Sequence, residues 1–156
     1  MPRTAKAVAA DRATPQLTRE NLGFLLAKAS QRWNELLAQR FAAAGFPEVR
    51  PSNGSILVPL YEEDGLRMGE VARRARLSKQ TMTTMVRLLE RDGLVARRSD
   101  PEDGRAALVF LTLRAQAFRP VAEATLRELA RLARQRLGAT KADAVSDALR
   151  QLAELE

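Results

Sequence analysis

The sequence predicts a mostly helical fold carrying a small β-wing. Three observations lead there: two short amphipathic helices joined by a tight turn, a charged hairpin directly after them, and long amphipathic segments on both sides. In residues 68–75, Met68, Val71, Ala72 and Ala75 fall at i, i+3, i+4 and i+7, the spacing of a helix with one apolar face. Leu77 enters the turn, and Ser78 stands at the N-cap of a second helix, its hydroxyl able to accept from the amide of Thr81 or a neighbour. In residues 79–92 the stripe Met82, Met85, Val86 and Leu89 leaves Lys79, Gln80, Thr83, Thr84 and Arg87 on the opposite face. Gly93 supplies the left-handed residue that commonly closes a helix. Residues 94–98 open a strand with Leu94 and Ala96 on one face, Pro101 and Gly104 mark the turn in 99–105, and the Val-, Leu- and Phe-rich residues 106–112 return. That order is a winged helix-turn-helix.

The flanks form a helical frame. Leu22, Leu25, Leu26, Ala29, Trp33, Leu36, Leu37 and Phe41 recur at helical spacing, predicting one long helix over 18–44 that ends before Gly45 and Pro47. Pro51 suits the first turn of a helix continuing to Glu63, and Pro59 inside it is expected to kink or end it, because it removes a backbone bond. Val121, Thr125, Leu129, Leu132 and Leu137 mark another long helix, with Pro120 read as a kink. Val145, Ala148, Leu149, Leu152 and Leu155 mark the last helix, for which Thr140 is the expected N-cap. Helices this long would expose much apolar surface in a monomer, so pairing of two chains through their ends is expected; a tight intramolecular bundle is the alternative. The resulting organisation is a flexible basic arm over 1–16, a helical dimerisation region over 17–48 and 113–156, and the winged helix-turn-helix over 49–112.

Charge points to the partner. The 156 residues carry a net +7, and residues 65–106 hold ten Lys or Arg against six Asp or Glu, a net +4, with a further +2 in residues 1–16. The reading module and the arm are thus the basic parts, as an electrostatic footprint on phosphate requires; a merely solubilising arginine surface is the bland alternative. Absences narrow the chemistry. Without cysteine there is no disulfide, thiol switch or thiolate zinc site, and without histidine no imidazole metal sensor, so neither metal nor cofactor is expected. No uncharged apolar run is long enough to cross a membrane, and the apolar stretch 7–10 is too short for a secretion signal, so the protein is expected in the cytoplasm. The acidic groups Glu62, Glu63, Asp64 and Asp100, Glu102, Asp103 sit in turns with no nucleophile, phosphate loop or base beside them, so catalysis is not expected.

The runs Leu77-Ser-Lys-Gln-Thr-Met-Thr, Leu88-Leu-Glu-Arg-Asp-Gly-Leu-Val and Asp100-Pro-Glu-Asp-Gly-Arg before Leu-Val-Phe-Leu-Thr112 resemble the MarR family of dimeric winged-helix transcription regulators. The likeness departs at Thr83-Thr84, where the family often has Thr-Arg, which shifts readout toward Arg87 or Gln80. The resemblance implies DNA contact by Ser78, Lys79, Gln80, Thr81, Thr83, Thr84 and Arg87 on the second helix. On the wing it implies contact by Arg97, Arg98, Asp103 and Arg105, with Arg105 in the minor groove; Asp103, two residues before Arg105, is placed to orient its guanidinium and hold the wing tip in shape. It also implies an effector site near the hinge between frame and reader, for which Trp33, Arg40 and Tyr61 are candidates; Trp33, in register with the apolar stripe, suits the core better. The expected function is a homodimeric, sequence-specific regulator of a double-stranded DNA operator, a repressor relieved by a small aromatic or anionic effector. The alternative is a winged-helix protein-interaction module.

Overall fold

The computed structural model describes residues 17–156; the basic arm expected over 1–16 lies outside them. The chain divides into two compact units after Leu36. In the first, α1 (Leu22–Ala43) begins with Asn21, whose Oδ1 accepts from the Phe24 amide at 2.8 Å. The helix starts later than residue 18 because the side-chain amide of Asn21 bonds back to the Thr18 carbonyl, at 2.6 Å, closing a turn there. Leu22, Phe24 and Leu25 are exposed.

The second unit opens with the final turns of α1 and a 3-10 turn at Pro51–Asn53. It continues through α2 (Gly54–Glu62), β1 (Leu66–Arg67), α3 (Met68–Ala75), α4 (Lys79–Arg91), β2 (Val95–Ser99), β3 (Ala107–Leu111), α5 (Leu113–Leu137) and α6 (Ala139–Ala153). The strands form an antiparallel sheet in the order β1-β3-β2, with Val95 opposite Leu111 and Ser99 opposite Ala107. β1 was not foreseen. Two residues carry no alternation to read, and the strand exists because β3 offers its second edge, setting Leu66 opposite Val109.

The core sits where the stripes of α3 and α4 meet the sheet: Val71, Met82, Val86, Leu89, Leu94 and Val109 are all at or near zero exposure. Burying such side chains contributes roughly 1.5–3 kcal/mol each. Ile56, Leu57 and Leu60 extend it under α2, and Phe118 packs against Phe41 and Phe46 with ring centroids 4.8 and 5.3 Å apart.

Both helices continue past their prolines, α2 through Pro59 to Glu62 and α5 through Pro120. Each proline forfeits one backbone bond, and at Pro59 the burial of its own ring with Leu57 and Leu60 offsets that loss. Thr140 is not the cap of α6. Gly138 is at once the C-cap of α5 and the N-cap of α6, at φ 83° and ψ 154°, a conformation that glycine adopts without a Cβ penalty. The unanticipated cap is Thr112, whose hydroxyl accepts from the Ala115 amide at 3.2 Å and donates to the Gly93 carbonyl at 2.6 Å. One side chain thereby starts α5 and ties it to the end of α4.

Candidate nucleic-acid interface

The turn between α3 and α4 is made by Arg76, in left-handed conformation at φ 53°, after which the Leu77 amide returns to the Ala72 carbonyl at 3.0 Å. Ser78 then caps α4, accepting from the Thr81 amide at 3.1 Å and donating to the Thr81 hydroxyl at 2.9 Å. These two hydroxyls therefore shape the helix start. Lys79, Gln80, Thr84 and Arg87 are exposed and Thr83 is half-buried. The hydroxyls of Thr83 and Thr84 donate to the carbonyls of Lys79 and Gln80, at 2.8 and 3.1 Å. Among the described residues, neither Lys79 nor Arg87 enters an ion pair.

The wing is pinned at its base. Asp100 is buried; it accepts from the Glu102 amide at 2.9 Å and from the Arg67 guanidinium at 2.6 Å, and these two groups hold its carboxyl below the usual range. At the tip, Asp103 accepts from the backbone amide of Arg105 at 3.1 Å, while its carbonyl accepts from Ala106 at 2.9 Å. The Asp103 carboxylate thus holds the backbone of the tip, and among the described residues it makes no ion pair with the Arg105 guanidinium. Arg97 makes a two-pronged contact with Glu90, at 2.7 and 3.1 Å, which depresses the Glu90 carboxyl. Arg98 stacks on Phe110, its guanidinium carbon 4.8 Å from the ring centroid.

A cleft brings Lys79, Thr83 and Arg105 together, with Met68 and Gly69 on its wall. Gln80, Thr84, Arg87, Arg97 and Arg98 lie outside it. Arg67 is the residue that sequence reasoning missed. A lone arginine before a helix carries no signal, and its meaning appears only once β3 and the wing fold back over α3.

A second cavity, of about 390 Å³, lies between α2 and α5 and is mostly apolar, with Phe41, Leu57, Tyr61 and Phe118 on its wall and Arg119 beside them. The Tyr61 hydroxyl donates to the Ala115 carbonyl at 2.5 Å, and burial pushes its pKa up to about 12. Arg119 donates to the Tyr61 carbonyl at 3.3 Å and to Glu123 at 3.0 Å. Of the expected effector-site residues only Tyr61 lines this cavity. Arg40 is paired with Glu128 at 3.2 Å, and Trp33 is a half-buried residue of the amino-terminal unit.

The MarR family pattern matches residues 50–107, the span from the start of α2 into the wing. An HTH-type transcriptional repressor of Mycobacterium tuberculosis is 40% identical over 68 residues, 44% of this chain and 49% of that protein. A probable transcriptional regulator from Pseudomonas aeruginosa superposes with a TM-score of 0.73 at 28% identity, covering 85% of this chain and 97% of that one. Over residues 50–107 the chain carries the MarR family pattern. The structure of the transcriptional repressor CouR, bound to a 23-mer DNA duplex, is also similar to this chain. Its TM-score is 0.73 at 27% identity, over 90% of this chain and 96% of that chain. The chain spans about half the length of the curated relatives it matches; the YetL repressor of Bacillus subtilis, 32% identical over 90 residues, shares 56% of this chain and 52% of its own. Among the described residues no helix is long and apolar enough to cross a membrane.

Proposed function

We propose that this chain is a homodimeric, sequence-specific regulator of transcription that binds a double-stranded operator and is released by a small aromatic or anionic effector. It acts in the cytoplasm as a repressor, by binding rather than by catalysis. The observation that carries this reading is the outer face of α4. Lys79, Gln80, Thr84 and Arg87 stand exposed there, and the cleft beside them adds Arg105 from the wing. A helix that docks on protein presents large apolar anchors; on α4 the large exposed apolar side chain is Leu88, at 37%. Gln80 suits a two-bond contact to adenine, and the cations Lys79 and Arg87 suit phosphate or guanine. The similarity to DNA-bound CouR supports the same reading.

The dimer rests on α5 and α6. α6 buries none of its residues, and Leu132, Leu137, Val145 and Leu149 are exposed; an isolated helix of this length is marginal in water, so a second copy is its natural cover. The effector site is the cavity at Tyr61. An anion there competes with Glu123 for Arg119. Two and three residues beyond Tyr61, Glu63 pairs with Arg74 of α3 at 2.7 Å and Asp64 accepts from the Leu111 amide at 2.8 Å, so a shift of α2 is felt by both helix and wing. The effector acts only by its differential affinity for the two reader arrangements, and DNA weakens the effector by the same factor.

The test is selection of duplexes from a random pool by the purified chain, followed by binding titrations at two salt concentrations. An enriched pseudo-palindrome with half-sites about one helical turn apart is expected, with affinity falling as salt rises. A pool with no enriched sequence would refute the proposal.

A further inference from the structure

We infer that Thr83 and Thr84 read the 5-methyl group of thymine through their own methyls, making thymine a specificity determinant of the operator. This rests on the DNA-binding reading above. A threonine hydroxyl has one proton to donate, and in both residues the carbonyl one turn back takes it, Lys79 at 2.8 Å for Thr83 and Gln80 at 3.1 Å for Thr84. That bond fixes χ1 with the oxygen turned against the helix backbone. The branch left to project is the Cγ2 methyl. Neither residue is core: Thr84 is exposed, and Thr83 is half-buried on the wall of the cleft shared with Lys79 and Arg105. Two adjacent β-branched side chains in the middle of a helix are not favourable for the helix itself, and with their protons committed they offer a partner no hydroxyl donor but an apolar contact.

In the major groove thymine alone among the bases presents a methyl, whereas adenine and cytosine present amino donors and guanine presents acceptors. A methyl face therefore favours thymine and leaves the amino and acceptor edges unmet. Gln80 stands one turn before Thr84 on the same side of α4, so adenine contact by the amide and methyl contact by the threonine suit the two edges of A·T pairs. The competing role for these residues is a hydroxyl oxygen that accepts from an adenine or cytosine amino group; it requires the oxygen, not the methyl, at the DNA surface.

The experiment uses the full chain and the operator it selects. Each thymine of the selected site is replaced in turn by deoxyuracil, which deletes the methyl and keeps the base pair. At one or two positions per half-site the wild-type chain should bind about fourfold more weakly, the value for one methyl removed from an apolar contact. T84V, which keeps the methyl and removes the hydroxyl, should bind the thymine operator within about twofold of wild type, while T84S, which keeps the hydroxyl, should lose about as much as deoxyuracil does. On the deoxyuracil operator T84S should lose nothing further, the sign of a shared contact; the T83V and T83S pair should behave likewise. Unchanged binding of wild type at every deoxyuracil position would overturn the inference, as would a loss in T84V with T84S binding like wild type, which would assign the reading to the hydroxyl. Absence of any selected sequence would overturn the DNA-binding reading itself and this inference with it.

Discussion

Replacing Arg105 tests whether the wing tip reads DNA or only adds charge. Its backbone is held by the Asp103 carboxylate at 3.1 Å and by the Ala106 to Asp103 turn, while the wing base is anchored through Asp100 and Arg67 at 2.6 Å. Among the described residues Arg105 has no ion-pair partner. The guanidinium is thus presented on an ordered tip beside Lys79 and Thr83, and its removal takes away a contact without breaking a fold interaction. Arg105→Ala should cost about 1–3 kcal/mol of operator binding, or about 5- to 150-fold in Kd. If the narrow, A·T-rich minor groove is its target, Arg105→Lys should recover little, because the ammonium is a strongly hydrated point charge without the planar fork. Asp103→Asn keeps an acceptor for the Arg105 amide and should bind like wild type, whereas Asp103→Ala should lose about 1 kcal/mol as the tip loosens. The assay is a fluorescence-anisotropy titration at fixed salt on operators with A·T or G·C flanks. Equal affinity of wild type, Arg105→Lys and Arg105→Ala on all flanks would refute the reasoning.

Three further outcomes concern stability and pH. Thr112→Ala should destabilise the chain by about 1–2 kcal/mol, because the cap of α5 and its link to the Gly93 carbonyl go together; Thr112→Ser should retain most of it in thermal melts. Gly65→Ala should cost about 1–3 kcal/mol, since φ is +70° and a Cβ would lie 2.7 Å from the Phe110 ring; a denaturant midpoint equal to wild type would contradict that geometry. The single tyrosine, Tyr61, should ionise near pH 12 rather than at its ordinary 10, through burial opposed by Arg119 and aided by Glu123. Because the folded value is the higher one, its contribution to stability is whole below pH 10 and is lost as pH rises from 10 to about 12. Absorbance titration of the phenolate would expose an ordinary value.

The reader was legible because its signals are local. Ser78 is followed three residues on by the amide it caps, Met82, Val86 and Leu89 repeat at helical period, and Gly93 sits where φ must be positive, so neighbouring residues alone specify α3, α4 and the hairpin. The outward face of α4 followed from the same period. What needed the tertiary structure was every pairing across distance. Arg67 finds Asp100, Arg97 finds Glu90, Arg114 finds Glu48, Tyr61 finds Ala115 and Asp64 finds Leu111, because a folded chain brings together residues with no periodic relation in sequence. Those pairings decide which cations remain available to a partner. Arginine content could show that this chain suits phosphate, but only the fold could separate Arg97, held by a carboxylate, from Arg87 and Arg105, which are not. For the same reason the threonines of α4 read in sequence as polar contacts, while the structure turns their hydroxyl protons back onto the helix carbonyls; rotamer choice depends on the carbonyl one turn away, which exists only once the helix has formed.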